Sequence, residues 1–478
     1  MAAFRYSDFR VLWISTMSNQ LGQGMQQVLL GWLGFEITGS GTMVGAVFAA
    51  RSAPNLVVGF LAGSVTDRMD RRLLIRVSIL GMTLVAGSMG ILAITGNLPV
   101  WGLLLATVAL GAFQAFYMTA RQAYVLDIVG SDGALNGIAL ISMAQRVGGI
   151  FGALLAGGVI QRWGPGQAFF VMGAGYIAGL LVLFWLRRAG ASVPREREAL
   201  WQNLVSYFNA LRSNRALAVL MVTTAAAEVF GFSHQVVLPI LAKEVLSVGP
   251  AGLGLLTAFR FFGGALGVFA GAAMGLVKRQ GLLLLTFMAL FGAGEILLSQ
   301  SPNFWSALVF VTLINIMATG TDILHHTLLQ LSVPNDQRGR AMGAWIVGIG
   351  MAPMGQLEIG YLAGLTSSRI ALLTNGLVLA IGAELVEGQA GEVVELDADC
   401  RGFSRRRLLD LGLTPRARVS VELNNTFGDP RGYRVRGTMI ALRRQQTDQI
   451  WIRPMEAVAA AGQGAQSDLS RNAASSST

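Results

Sequence analysis

Charged side chains inside long apolar stretches are the first residues of this chain that need a chemical explanation. They are Arg146, Glu228, Arg260, Glu295, Asp322 and Glu358. A charge at the centre of a bilayer costs roughly 3 kcal/mol and is retained where it has a partner or a function. Glu228 and Asp322 are the predicted proton or cation sites, with Arg146 as their charge partner or as an anion contact. An interhelical ion pair that only holds helices in register is the alternative role for each of them.

Amide side chains follow one face of the first apolar segment. Asn19, Gln23 and Gln26 recur at helical spacing, with Gln27 beside them, so they share one side of a helix. Such a face can line a water-filled cavity and bind polar cargo without selecting for charge. Hydrogen bonds between neighbouring helices are the alternative role for the same amides.

A carboxylate and two imidazoles lie close together in the sequence at Asp322, His325 and His326. Spacings of three and four residues bring side chains to one side of a helix, and this ligand set suits Fe²⁺ or Mn²⁺. Adjacent histidines diverge by about 100° around a helix, which counts against both binding one ion. The sequence therefore leaves three roles open for this trio: metal binding, proton coupling and ordinary packing.

The composition places most of the chain in a membrane. Hydrophobic residues make up 53% of the 478 residues, charged residues only 13%, and the mean hydropathy is +0.56. A chain of this character is insoluble unless a bilayer receives it. The net charge of +10 comes largely from arginines in short loops and in the tail, which indicates orientation in a membrane rather than nucleic-acid binding. The single Cys400 excludes an intrachain disulfide framework.

Twelve apolar windows of about the length that crosses a bilayer fall into two sets of six. Basic residues concentrate in alternate loops, which predicts that both termini lie in the cytoplasm. The predicted fold is an all-α membrane protein of twelve transmembrane helices in two six-helix halves, followed by a small antiparallel β-barrel domain. The predicted domains are a first half 1–186, a cytoplasmic linker 187–215, a second half 216–386, a β-barrel domain 389–455 and a disordered tail 457–478.

The loop after the second window carries a motif with a specific spacing. The run from Gly63 to Arg72 resembles the loop between the second and third helices of the major facilitator superfamily, in which a glycine and an Asp-Arg pair precede a basic cluster. We expect Asp67 to cap a helix end, while the arginines pair with carboxylates of a neighbouring helix and hold the cytoplasmic side closed. The predicted gating residues are Gly63, Asp67, Arg68, Asp70, Arg71 and Arg72.

Three further stretches narrow the resemblance to one branch of the superfamily. Gly148–Gly157 is similar to the glycine-rich fifth-helix motif of exporters, with Ala153 where that motif usually has proline. The segments Thr119–Ala123 and Val333–Gly343 resemble the branch that contains siderophore and macrolide exporters. The resemblance covers roughly residues 5–384 and implies the major facilitator fold.

The chain changes character after Glu384, where short alternating strands replace the apolar windows. Turns with glycine and proline separate these strands, which predicts a small antiparallel barrel. Residues 389–455 resemble the FeoA domain of bacterial ferrous-iron uptake through Leu411–Pro415 and Gly428–Pro430, among other elements. Arg416 stands where that family usually has glycine. The resemblance implies a regulatory or docking module.

These observations predict a secondary active transporter of the bacterial inner membrane that has no enzymatic activity and no cofactor. The sequence has no phosphate-binding loop and no nucleophile elbow, so an ion gradient, expected to be of protons, supplies the energy. The predicted partners are a small-molecule or metal-ion cargo, protons and the lipid membrane, with a protein partner for the FeoA-like domain and no nucleic acid. The cargo is expected to belong to iron handling, as Fe²⁺, another divalent metal or a siderophore-like chelator.

Two other functions remain open at this point. One is an efflux carrier for drug-like or other small organic molecules, with a regulatory FeoA-like domain. The other is a non-transporting scaffold or receptor that presents that domain to an iron transporter. The direction of transport is also open, because the branch resemblance indicates export whereas FeoA is associated with uptake.

Overall fold

The computed structural model of the chain divides into two units, Met1–Glu384 and Leu385–Thr478. The described residues are 2–66, 69–187, 215–274, 280–331, 345, 348–385, 390–396, 406, 408–411, 413–414, 416–423, 431–435, 438–442 and 450–454. Predicted features that lie outside them are Asp67, Arg68, the segment 333–343, nearly all of the linker 187–215 and the tail 457–478.

The first half of the helical unit contains six described helices. They are α1 (Ser7–Thr38), α2 (Gly41–Thr66), α3 (Arg71–Ile94), α4 (Val100–Gly130), α5 (Asn136–Trp163) and α6 (Pro165–Val182). A break separates α4 from α5 at Gly130, whose φ of 69° is a left-handed conformation that glycine adopts without penalty. The predicted gating residue Gly63 lies within α2.

The second half contains six more described helices, and the first of them is irregular. They are α7 (Arg215–Ala226, continuing to Val245), α8 (Gly249–Met274), α9 (Gln280–Ser299), α10 (Phe304–Leu331), α11 (Ala352–Leu365) and α12 (Ser368–Leu385). In α7, π-helical turns at Ala227–Gly231 and Leu241–Val245 flank a 3-10 segment, Phe232–Val236. Such turns within helices are frequent at functional sites.

Eight of the described helices, α3 to α10, are long and apolar enough to cross a membrane. The other four helices are not among these eight. Helix α11 has 14 described residues, and α12 contributes only a shorter apolar stretch. Helix α1 carries the amide face, and the side chains of α2 are described only in part. A mostly helical membrane protein is therefore confirmed, whereas the count of twelve spans still depends on the sequence pattern.

The helical unit has apolar side chains on its outside and polar side chains within. Trp305 is 75% exposed and Phe269 is 70% exposed, as expected for residues that face lipid. Arg121 and Glu295, in contrast, are at most 2% exposed. This distribution is the one expected for a protein surrounded by the hydrocarbon core of a bilayer.

The second unit is built on a five-stranded antiparallel sheet. The strands are β1 (Ala390–Leu396), β2 (Arg418–Leu423), β3 (Arg431–Val435), β4 (Thr438–Leu442) and β5 (Ile450–Pro454), in the order β4-β3-β2-β1-β5. Leu408, Leu413, Val419 and Val435 form its buried core. The pairings between described strands leave β4 and β5 at opposite edges. The predicted barrel is thus not found among the described residues, since closure requires these two edges to pair.

Arg416→Gly is expected to stabilise the second unit. Arg416 has a φ of 69°, a left-handed conformation that is costly for a residue with a side chain. Because glycine also loses more entropy on folding, we expect a net gain of roughly 0.5–1 kcal/mol. Slower hydrogen exchange at the amides of β2 and β3 in the full-length protein would reveal it. Arg418→Gly, within β2, is the control and should speed exchange; equal exchange in Arg416→Gly and the unaltered protein would contradict the assignment of strain.

Candidate functional site

The amide face of α1 is buried inside the helical unit. Asn19, Gln23 and Gln26 are each at most 2% exposed. Gln23 donates to Oε1 of Gln114 on α4 at 2.7 Å, and Gln26 accepts from the hydroxyl of Tyr176 on α6 at 3.2 Å. The amide atoms of Asn19 have no hydrogen-bond partner among the described residues. Two of the three amides therefore bond to neighbouring helices, which is the alternative role that the sequence left open.

Two arginines reach the same face from other helices. Arg51 of α2 donates through Nη2 to Oε1 of Gln23 at 3.0 Å. Arg260 of α8 donates to Oε1 of Gln27 and, at 2.5 Å, to Oε1 of Gln235 on α7. These acceptors are neutral, so they orient the guanidinium groups without cancelling their charge. A small cavity beside Arg260 is lined by both of its glutamines.

Sequence reasoning included Arg260 among the charged candidates but missed Arg51. The signal for Arg51 was present, because it is an arginine inside the second apolar window. The basic loop that follows this window carries the more specific motif, and Arg51 lies outside that motif.

A third arginine, Arg146 of α5, lies at the interface between the halves. Its guanidinium packs against the backbone of α8 so closely that a Cβ at Gly264 would collide with Nη1. Arg260 is repelled electrostatically by both Arg51 and Arg146, and Arg146 is attracted by Asp322. Positive potential is therefore concentrated where the halves meet.

The two predicted coupling carboxylates both belong to the second half. Glu228 lies in the first π-helical turn of α7 and Asp322 lies in α10. The two carboxylates interact electrostatically, and Asp322 also interacts with Arg146 and His326. The structure thus brings Glu228, Asp322 and Arg146 into one electrostatic group, in which proton coupling stays a prediction.

The predicted metal ligands Asp322, His325 and His326 do not converge. His325 is 2% exposed, and its Nε2 lies 2.9 Å from Oγ1 of Thr223 on α7. The ring of His326 instead packs edge-on against Trp345, with the ring centroids 5.1 Å apart. Among the residues that the structure describes, no three His, Cys, Asp or Glu side chains are grouped so that they could hold a metal ion. The divergence of adjacent residues on a helix is the physical reason.

The described part of the gating loop joins helices of the first half. Asp70 caps α3 by accepting a hydrogen bond from the N–H of Arg72 at 2.8 Å, a role that the sequence had predicted for Asp67, which is not described. Arg71 forms an ion pair with Asp127 of α4, and Nη2 of Arg72 lies 3.5 Å from Oδ2 of Asp70. The first pair holds α3 against α4, the second lies within the start of α3, and neither by itself links the two halves.

Small residues let the halves touch closely at the end of the unit where α1 ends and α2 begins. A Cβ at Gly157 of α5 would lie 2.7 Å from the carbonyl oxygen of Pro250 and 3.0 Å from Cα of Gly254 in α8. A Cβ at Gly45 of α2 would lie 3.0 Å from Cα of Gly360 in α11. Such backbone approach is how helices pack tightly within a membrane.

A cation and two aromatic rings meet at the same end. Nζ of Lys243, near the end of α7, lies 5.4 Å from the ring centroid of Trp32 and 5.5 Å from that of Phe35 on α1. A contact of this kind contributes about 0.5–2 kcal/mol. Close by, Pro239 of α7 packs against Gly31 of α1. These contacts hold the two halves together at this end.

The model of the transmembrane secretion effector family matches residues 1–447. The chain belongs to this family of major facilitator transporters. The match spans all of the helical unit and continues through β4, so this family alignment includes most of the second unit. Because the family consists of transporters, the predicted absence of enzymatic activity is supported.

Curated relatives of this family member include two transporters named for siderophores. The staphyloferrin A transporter of Staphylococcus aureus is 20% identical over 341 residues, which cover 70% of this chain and 85% of the relative. The enterobactin exporter EntS of Salmonella choleraesuis is 26% identical over 350 residues, which cover 68% of this chain and 80% of the relative.

Solved structures of other major facilitator transporters have the same fold. A variant of the nucleoside transporter NupG aligns with a TM-score of 0.67 at 11% identity, over 79% of this chain and 99% of its own. A bacterial homologue of the lysosomal transporter Spinster, in an inward-facing and unoccupied conformation, aligns with a TM-score of 0.63 at 15% identity, over 79% of this chain and 95% of its own. At this identity the likeness establishes the fold alone.

Gly157→Leu is expected to open the end at which the halves meet, because its side chain has no room beside Pro250 and Gly254. Gly158→Leu is the matched control, since a Cβ at the adjacent Gly158 meets no atom within 4 Å. The readout is maleimide labelling of Thr257→Cys, a position that is 5% exposed, after the single Cys400 has been replaced by serine. Labelling should be faster with Gly157→Leu and unchanged with Gly158→Leu. Equal rates in the two variants would show that this glycine contact does not keep the end closed.

Proposed function

We propose that this family member is a proton-coupled exporter of small anionic iron chelators in the bacterial inner membrane. The proposal includes twelve spans in two six-helix halves that alternate access to a site between them. The observation that carries it is the group formed by Arg51, Arg146 and Arg260 at the interface of the halves. The family description and the names of the two siderophore-related relatives support it.

An anionic cargo suits this group better than a bare metal ion does. Guanidinium groups bind carboxylates through paired, charge-assisted hydrogen bonds. Chelators of iron carry negatively charged oxygens that accept hydrogen bonds in the same way. Fe²⁺ would instead be repelled by three nearby positive charges. The neutral partners Gln27 and Gln235 hold the guanidinium of Arg260, and an anion would replace these neutral acceptors with a charged one.

The family description supports export as the direction of transport, since secretion moves cargo outward. Glu228 and Asp322 are proposed as proton sites in the second half, where they interact with each other. If both termini are cytoplasmic, the closed end near Lys243 and Trp32 faces outward. The resting carrier would then receive cargo from the cytoplasm.

The second unit is proposed as a regulatory or docking module, in line with the FeoA resemblance of residues 389–455. Its own buried core and its compactness as a unit by itself support independent folding. A chain that ends after Glu384 should keep basal transport of the chelator and lose the response to a partner or to iron. Loss of basal transport in a truncated carrier that still binds chelator would contradict this role.

Arg260→Gln is expected to weaken binding of an anionic chelator about 10- to 100-fold, because a hydrogen bond to a charged group contributes roughly 1.5–3 kcal/mol. Arg146→Gln should have a comparable effect. Arg162→Gln is the control, because Arg162 stacks on Trp163 at 5.7 Å from the ring centroid, at the far end of α5. Calorimetry on purified protein, titrated with enterobactin and with staphyloferrin A, measures the affinities.

Inverted membrane vesicles with an imposed proton gradient test the function itself. Accumulation of a radiolabelled chelator, lost in Arg260→Gln and kept in Arg162→Gln, is the expected result. Accumulation of Fe²⁺ alone would contradict the proposal that the cargo is a chelator and would indicate the metal ion as cargo instead. Accumulation of only a cationic drug would favour the drug-efflux alternative, and no accumulation of any compound would favour the scaffold.

A further inference from the structure

A carboxyl group in the second half lies outside the group formed by Glu228 and Asp322. Glu295 of α9 is 0% exposed, and neither of its carboxyl oxygens has a hydrogen-bond partner among the described residues. Nδ1 of His234 on α7 lies 3.6 Å from Oε1 of Glu295. On its other side, Cβ of Glu295 packs against Gly376 of α12, where an added Cβ would lie 3.1 Å away.

The hydrogen bonds of His234 define its protonation. Nδ1 lies 2.8 Å from the carbonyl oxygen of Gly231, so Nδ1 carries the proton that is donated there. The amide of Asn315 is oriented by donating to the carbonyl oxygen of Val311 at 2.9 Å, and the same nitrogen lies 3.4 Å from Nε2 of His234. Nε2 is therefore the acceptor, and the imidazole is neutral.

A neutral imidazole on His234 supplies no positive charge to compensate Glu295. An ionised carboxylate without a partner in a dry interior is far more costly than the neutral acid. In the observed arrangement Glu295 therefore holds a proton. The ring of Phe291, 6.0 Å from that of His234, adds to the apolar surroundings.

Other charged and polar groups lie near Glu295 and His234 on helices α8, α11 and α12. Arg260 of α8 interacts electrostatically with His234, and Glu358 of α11 interacts with Glu295. Glu358 is only half-buried and accepts a hydrogen bond from Asn375 of α12 at 3.0 Å. A second carboxylate nearby further favours the neutral acid at Glu295 and offers a more accessible group for proton exchange.

The backbone of α7 is irregular at the point where it meets this cluster. The π-helical turn ends at Gly231 and the 3-10 segment that follows contains His234. Nδ1 of His234 donates to the carbonyl oxygen of Gly231 across the junction of these two turns, and such irregular turns within helices are frequent at functional sites.

We propose that Glu295, together with His234 and Glu358, forms a proton-binding site in the second half that is separate from Glu228 and Asp322. The acid binds its proton at a carboxyl oxygen in the observed state. When α7 shifts and admits water, the carboxylate becomes solvated and the same proton leaves. The role of this site in transport rests on the proposed proton coupling. The presence of a bound proton on Glu295 does not depend on that proposal.

Infrared spectroscopy of the purified full-length protein tests the bound proton directly. At neutral pH the unaltered protein should show the C=O stretch of a buried carboxylic acid, and Glu295→Gln should lose part of that band. Gln is isosteric with the neutral acid, so the variant is expected to fold as the unaltered protein does. Glu244→Gln is the control, because Glu244 is exposed at the end of α7. A band that is identical in Glu295→Gln and Glu244→Gln would overturn the site.

Measurements of chelator transport then test the role of the Glu295 site in proton coupling. Glu295→Gln should keep chelator exchange without a gradient and lose accumulation driven by a proton gradient. Full gradient-driven accumulation in Glu295→Gln would overturn the coupling role of this site. Loss of the infrared band together with no proton-driven transport in the unaltered protein would leave the proton site standing and overturn the proposed function instead.

Discussion

Hydrocarbon offers no hydrogen bonds, and this constraint governs the interior of the helical unit. Each polar group inside must bind another part of the protein, or be held neutral. Gln23 meets both Gln114 and Arg51, and Arg260 meets Gln27 and Gln235. The polar groups that lack such partners among the described residues, Asn19 and Glu295 in particular, are therefore the ones that need a ligand or a proton to explain them.

The interior charges are distributed unequally between the halves. The acids Glu228, Glu295 and Asp322 all come from the second half, whereas the arginines come from both halves, Arg51 and Arg146 from the first and Arg260 from the second. The proposed proton sites thus lie on one side of the interface, the arginine group draws on both halves, and the two interact across the interface, as Arg146 and Asp322 do. Coupling between two sites requires such differential contacts, and proximity alone does not provide them.

Close packing and irregular backbone have complementary effects in this fold. Gly157 and Gly45 bring backbones of opposite halves into direct contact, which fixes one end of the unit. In α7 the π-helical and 3-10 turns between Ala227 and Val245 break the regular hydrogen bonding beside His234. A helix that is locally irregular can rearrange without unfolding, so α7, which carries Glu228 and His234, is suited to change shape beside the other carboxylates.

Local patterns in the sequence predicted the membrane environment, the helices, the separate β unit near Glu384 and the charged residues such as Glu228 and Asp322. These features depend on composition and on spacings of a few residues, which the chain carries wherever it folds. The sequence did not predict that Arg51 donates a hydrogen bond to Gln23. It also did not predict that His325 contacts Thr223 while His326 packs against Trp345, or that the described strands form an open sheet. Those facts depend on which helices or strands become neighbours across long separations, and only the tertiary structure decides that. Glu295 is the clearest example: the sequence identified it as a charge in an apolar stretch, but the neutral His234 beside it determines that it holds a proton.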